Sequence, residues 1–234
     1  MNNFHTLPND SKRVIIEQTA LKQGLSKQIV EKDLWVSTIL EIVFTLPFAD
    51  KLVFKGGTSL SKVWGLIERF SEDIDLAVDR SLFGFEGDLT TKQIKKLRKA
   101  SSLFVSNEFI SELQSAINRY DLDKFIELEV QPDGEGDKTY PEPRQIFIKY
   151  QSLFETELSY VKPQIILEIG ARSLFEPTQK SSINSIVATE FPNVQTSIIS
   201  ADITTAVAAK TFLEKAFLLH ELFTTNGCSK AERK

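Results

Sequence analysis

The stretch that most constrains this chain is residues 55–78, KGGTSLSKVWGLIERFSEDIDLAV. Leu52, Val53 and Phe54, just before it, form the short apolar run of a buried strand. Gly56 and Gly57 follow at once. Without Cβ atoms, their backbone N–H groups can approach a phosphate closely. Thr58 or Ser59 is expected to cap a helix whose apolar positions Leu60, Val63, Trp64 and Ile67 recur at helical spacing. The free N–H groups of its first turn then face whatever rests on the glycines.

From Ser71 to Val78 the period changes to two. Ile74, Leu76 and Val78 fall on one face, and Asp73, Asp75 and Ala77 on the other. One face enters the core, and the other holds two carboxylates about 7 Å apart along the strand. Like charges that close repel, and a hard divalent cation between them removes the conflict. A glycine-led helix followed by a carboxylate pair on the next strand thus brings a triphosphate and Mg²⁺ together. The bland alternative is a surface strand with solvated acids beside a simple glycine turn.

A Gly-Gly turn followed, after a helix, by Asp-x-Asp resembles the signature of the polymerase β-like nucleotidyltransferase superfamily. More narrowly, GGTSL with RFSEDIDLAV is similar to the AbiEii/AbiGii family of toxin nucleotidyltransferases from type IV toxin–antitoxin and phage-abortive systems. The resemblance implies an enzyme that transfers NMP from an NTP to an acceptor hydroxyl, with RNA such as the 3′ end of tRNA as acceptor. It implies a separate antitoxin protein as partner. In this reading Asp73 and Asp75 hold two Mg²⁺ ions, and Gly56, Gly57, Thr58 and Ser59 cradle the β- and γ-phosphates. Arg69 and Arg172 stabilise charge or brace the acids.

The third acid is expected on the strand KPQIILEIGAR. Ile165, Leu167, Ile169 and Ala171 share one face, which leaves Glu168 as a single acid between Ile166 and Gly170 on the other. A buried unpaired carboxylate is costly, and facing Asp73 and Asp75 across a metal removes that cost. ILEIGAR also matches the acid-bearing strand of the resembled family. The competing reading is an exposed Glu168–Arg172 ion pair. Near the C-terminus, TFLEKAFLLH fits the family's Glu-Lys helix, which makes Lys215 the first phosphate-neutralising candidate and Lys210 the second. Lys210 and Glu214 could instead form an ordinary i,i+4 salt bridge.

The fold expected is α/β: a mixed, mainly antiparallel sheet flanked by helices, with a helical C-terminal part. Residues 1–175 form the nucleotidyltransferase core with its N-terminal helices, and residues 176–234 a mostly helical part. That part is shorter than in the many family members that continue through an Arg/His-rich segment. Helices are expected over residues 11–22, closed by Gly24, over 27–44, capped by Ser26, and from Thr90 onward, with Asn107 capping a continuation. FIELEV, RQIFIKYQSL and KPQIILEIGAR read as strands, the last two pairing antiparallel. INSIVATEF and QTSIIS read as short β-like pieces, and Asp202 as the cap of the last helix.

Two charged clusters admit two readings. Glu31, Lys32 and Asp33 are either a solvated helix face or an upstream extension of the resemblance, which carries an EKD-aromatic element before its glycines. Lys92, Lys95, Lys96, Arg98 and Lys99 form the one dense basic run, read as a solvated face in preference to an RNA-phosphate patch.

Composition narrows the alternatives. Net charge is −4, so RNA must be gripped by a local basic surface. One cysteine, Cys228, excludes a disulfide scaffold and a cysteine zinc site. His5 and His220 lie far apart, which disfavours a Ser-His-Asp machine. The absence of a signal peptide and of any membrane-spanning run points to the cytoplasm. The acidic balance leaves open nucleotidyl transfer to a small molecule or a protein. A non-catalytic nucleotide- or partner-binding module with the same fold is the remaining alternative.

Overall fold

The computed structural model describes residues 2–67, 73–155, 161–173, 175–199 and 201–231. A two-residue strand β1 (Asn2–Asn3) precedes α1 (Asn9–Gln23) and α2 (Lys27–Val43). Gly24 adopts the left-handed conformation (φ 64°) and returns its N–H to the Ala20 carbonyl, ending α1 where the glycine predicted. Ser26 Oγ caps α2 by accepting from the Ile29 amide at 3.3 Å.

The central sheet begins with β2 (Leu52–Lys55), short helix α3 (Gly56–Lys62) and β3 (Asp73–Val78). Then come α4 (Thr91–Phe104), opened by a Thr90–Gln93 capping box, and α5 (Ile110–Arg119). Asn107 does not cap α5. It lies in a π-helical turn, Val105–Phe109, that joins α4 to α5 without a break, and its Nδ2 donates to the Leu103 carbonyl at 2.7 Å. Strands β4 (Ile126–Val130), β5 (Arg144–Tyr150) and β6 (Gln164–Gly170) follow as the alternation predicted. The chain continues through β7 (Thr178–Ser181), α6 (Ile186–Glu190), β8 (Val194–Gln195), β9 (Ile203–Ala206) and α7 (Ala208–Ala231).

The seven-stranded sheet has the order β4-β5-β6-β3-β2-β9-β7. β3–β6 and β2–β9 are parallel, and the other four neighbouring pairs antiparallel, so the expected mixed, mainly antiparallel sheet is found. Strands β1 and β8 form a separate parallel pair.

Three local expectations fail here, the first being QTSIIS, of which only Gln195 lies in a strand among the described residues. Residues 186–190 of INSIVATEF are helical rather than extended, because Ser185 Oγ accepts from the Ala188 amide at 3.1 Å and starts a turn. Asp202 does not cap a helix. The residues after it are β9, whose Ile203, Thr205 and Ala206 are fully buried between β2 and β7, and α7 starts only at Ala208. The β-branched run Ile-Thr-Thr packs better on a pleated, buried surface than in a helix.

One face of the sheet is closed by the main core, and the other is partly open, covered where Val53, Ala77 and Ala206 form a small buried cluster. Leu52, Phe54, Ile74, Leu76, Val78, Ile146, Ile148, Ile165, Leu167 and Ile169 form a continuous core with α2 and the α4–α5 pair. Within it Phe48, Phe104 and Phe109 pack ring against ring at 4.9–6.0 Å. The alternate residues, Asp73, Asp75 and Glu168 among them, are left on the other face.

Glu31, Lys32 and Asp33 are not a solvated helix face: all three are at most 4% exposed. Glu31 accepts from Ser152 Oγ (2.6 Å) and the Leu153 amide (2.7 Å), and Lys32 donates to the Lys162 carbonyl (3.1 Å). Asp33 pairs with Lys62 at the end of α3 and accepts from the Ile186 amide at 2.7 Å. The cluster ties α2 to α3, α6 and the segment after β5. Of the basic run, Lys92, Lys95, Lys96 and Lys99 are exposed, while Arg98 donates to the Tyr140 carbonyl.

Candidate active site

Strand register puts four side chains in one row across the open face. Lys55 on β2 pairs with Asp75 on β3, Asp75 with Glu168 on β6, and Glu168 with Gln145 on β5. Directly opposed residues on neighbouring strands bring their Cβ atoms to about 5 Å. The row is therefore a cation, two carboxylates and an amide in contact order. Gln145 Nε2 donates to Glu168 Oε1 at 2.6 Å. Lys55 Nζ donates to Ser173 Oγ at 2.6 Å and to Glu214 Oε2 of α7 at 3.0 Å.

The glycine turn and the acids meet at one point. Gly56 has φ +76°, and a Cβ built on it would lie 1.8 Å from Asp75 Oδ2. Only glycine allows the Asp75 carboxylate to rest against the first residue of α3. The helix begins at Gly56, so Thr58 and Ser59 lie inside it rather than at its cap. Their hydroxyls are turned inward: Thr58 Oγ1 donates to the Asp73 carbonyl, and Ser59 Oγ to the Gly56 carbonyl at 2.8 Å. Both residues are buried, as is Gly57, which leaves the half-buried Gly56 as the part of the motif that borders the acids.

Crowding of charge acts on Asp75. Burial first, then the Glu168 and Asp73 carboxylates, raise its carboxyl against the opposing charges of Lys55 and Lys215, and the balance stands at about 6. Glu142 is also raised, chiefly by burial, although the Ala171 amide donates to it. A cavity of about 470 Å³ opens over the row, bordered by Lys55, Asp75, Glu142, Glu168, Arg172 and Glu214.

The remaining candidates fall at different distances from this row. Asp73 lies one pleat along β3, opposite Ile166. Arg172 borders the cavity and is exposed. Lys215 is exposed on α7, and its charge reaches Asp75. Lys210 is half-buried and donates to the Phe175 carbonyl at 3.2 Å, while Glu214 is drawn to Lys55. Arg69 lies outside the described residues.

Among the described residues no three His, Cys, Asp or Glu side chains stand close enough together to hold a metal ion as placed. The donor chemistry nevertheless fits a hard divalent cation. Asp75 and Glu168 present carboxylate oxygens on directly opposed residues, a third acid follows one pleat away, and among the described residues no thiol or imidazole borders the cavity. Lys55, Glu142, Gln145 and Ser173 were missed by reading the sequence, and Glu214, read there as a possible partner of Lys210, pairs with Lys55. Lys55 and Gln145 occupy alternation positions that share the face of the acids, a signal that becomes usable only once the register is known.

This layout defines the protein as having the fold of a nucleotidyltransferase toxin. It is similar to MenT4, a nucleotidyltransferase toxin from Mycobacterium tuberculosis H37Rv, with a TM-score of 0.51 and 20% identity. The match covers 87% of this chain and 57% of that one, so the chain spans little more than half the length of MenT4. No curated protein sequence matches this one. The family described as nucleotidyl transferase AbiEii toxin, type IV TA system, matches residues 38–230, and the chain belongs to that family.

Proposed function

We propose that the open face of the sheet catalyses Mg²⁺-dependent transfer of NMP from an NTP to a hydroxyl of RNA, with the 3′ end of tRNA as the acceptor class. The observation that carries this reading is the contact of Gly56 with Asp75, because it joins the phosphate-facing turn to the acids at one point. Asp73, Asp75 and Glu168 would hold two Mg²⁺ ions. Bound there, the ions would supply neutralisation of the triphosphate and a lowered pKa for the acceptor hydroxyl.

The chain's own groups divide the rest of the work. The backbone N–H groups of Gly56 and Gly57 receive the β- and γ-phosphates at the start of α3. Lys55 and Lys215 balance their charge, with Lys210 behind them, and Arg172 closes the rim of the cavity. Glu168, held by Gln145, takes the proton from the acceptor hydroxyl. The hydroxyl oxygen bonds to the α-phosphorus, the bond from that phosphorus to the bridging oxygen breaks, and pyrophosphate leaves. An antitoxin protein restrains this activity in the cell.

The test is transfer of label from each of four α-labelled NTPs to total RNA, with wild type beside Asp75→Ala. Labelling that Asp75→Ala abolishes is expected. Equal labelling by both proteins removes Asp75 from the chemistry, and labelling that survives nuclease treatment of the acceptor moves the reaction to a protein or small molecule.

A further inference from the structure

A second charged cavity lies away from the row of acids and shares no lining residue with it. Its outer chamber, about 710 Å³, is bordered by the first turn of α1 at Pro8 and Asn9, by Lys12, and by Arg119, Asp121 and Lys124 at the corner between α5 and β4. A smaller inner chamber of about 110 Å³ shares His5, Asn9, Lys12 and Phe125 with it.

Lys12 is the unusual residue. It is 7% exposed, and its ammonium lies 5.1 Å from the Phe125 ring centroid. The Lys124 ammonium stands 5.1 Å from the same ring. No carboxylate and no hydrogen-bond acceptor contacts Lys12 Nζ among the described residues. Glu31, the carboxylate bordering the inner chamber, is already committed to Ser152 and Leu153. Burial and the neighbouring Lys124 both weaken the hold of Lys12 on its proton. A buried cation beside a second cation is costly unless an anion joins them.

The helix end adds to this. The N-cap of α1 is Pro8, with no side-chain cap, and the first turn borders the same chamber at Pro8 and Asn9, while its one acid, Asp10, is exposed and paired with Arg13. The outer chamber sets three cationic side chains against the single carboxylate of Asp121, in a protein whose net charge is −4.

We propose that this cavity binds a phosphate group, with Lys12 as the buried counter-cation, the first turn of α1 as amide donor, and Lys124 and Arg119 at the rim. The site does not depend on the reaction proposed above. A phosphate reaches it either as the free anion or carried on a nucleotide.

The test uses the full chain, titrated separately with inorganic phosphate and with AMP against chloride of equal ionic strength. Melting temperature and the amide resonances of residues 9–12 are followed. A saturable shift of those resonances is expected with one or both ligands, together with a rise in Tm of roughly 5 °C at a hundredfold excess over the dissociation constant. Whichever ligand saturates at the lower concentration identifies the source. Lys12→Met should lose both responses while melting higher than wild type in chloride, since it removes the uncompensated charge. No saturable shift with either ligand, or equal shifts in wild type and Lys12→Met, overturns the proposal. So does a Lys12→Met protein that melts lower in chloride yet still responds to phosphate.

Discussion

Lys55 on β2 and Glu214 on α7 form an ion pair of 3.0 Å beside the carboxylate row, so the last helix holds the cation that stands opposite Asp75 in the sheet. The two side chains are 21% and 33% exposed, which limits the pair's contribution to stability to about 1 kcal/mol or less. In the proposed reaction the triphosphate competes with Glu214 for Lys55. Glu214→Gln should therefore lower KM for the NTP a few-fold with little change in kcat, and Lys55→Met should cut kcat/KM at least about tenfold. Steady-state labelling over a range of NTP concentrations measures both. An unchanged KM in Glu214→Gln would place Lys55 away from the phosphates.

Gly56→Ala forces a methyl into the space of Asp75 Oδ2 at a residue with φ +76°. The substitution should cost roughly 1–3 kcal/mol through backbone strain and displacement of the carboxylate, and should remove labelling. Gly65→Ala is the control. Gly65 also has positive φ (+60°), but a Cβ there meets nothing within 4 Å. It should show backbone strain alone and keep its activity. Urea melts and labelling of the two variants, side by side, separate contact from conformation.

Asp75 gives a pH signature in protein free of divalent cations. Its carboxyl is raised from 3.8 to about 6 in the fold, so the protonated form is favoured by folding. The corresponding stability is complete below pH 3.8 and is lost as pH rises through 6, a change of roughly 3 kcal/mol. Asp75→Asn does not titrate there. Its stability advantage over wild type should grow from pH 4 to pH 7 and then level off, while labelling is lost. Added Mg²⁺ should raise the wild-type Tm at pH 7 and leave that of Asp75→Asn nearly unchanged. Parallel pH profiles of the two proteins would contradict this assignment.

The pair Asp33–Lys62 is nearly dry, with side chains 6% and 8% exposed. Asp33→Ala leaves the Lys62 ammonium without its carboxylate and the Ile186 amide without its acceptor. Breaking one half of a buried pair costs about 3–5 kcal/mol, or a fall in Tm on the order of 10 °C. The double variant Asp33→Ala/Lys62→Met should recover part of that loss, because no uncompensated charge remains. Thermal melts of the three variants test the coupling; additive losses would show that the two groups act separately.

Much of the fold could be read from local order. The alternation in residues 73–78 and 164–170 assigned each side chain to its face, since a strand has only two sides. Ser26, Thr90 and Gly24 mark helix ends because capping chemistry acts within three or four residues. Where local signals were weak, reading failed. Residues 203–206 looked like the start of a helix, and only their place between β2 and β7 makes them a strand.

For the site, residue order alone shows that two acids follow a glycine turn and that a third sits alone on a later strand. The tertiary structure alone decided that Lys55, Asp75, Glu168 and Gln145 stand in one row. Their order follows from strand register, which depends on pairings between residues twenty or more positions apart in the chain. It alone decided as well that Glu31, Lys32 and Asp33 are buried. A charged triplet on a helix reads as solvated until the partners Ser152, Lys162, Lys62 and Ile186 are brought to it, and those partners are distant in sequence. Periodicity is a property of neighbours along the chain, whereas charge compensation is a property of neighbours in space.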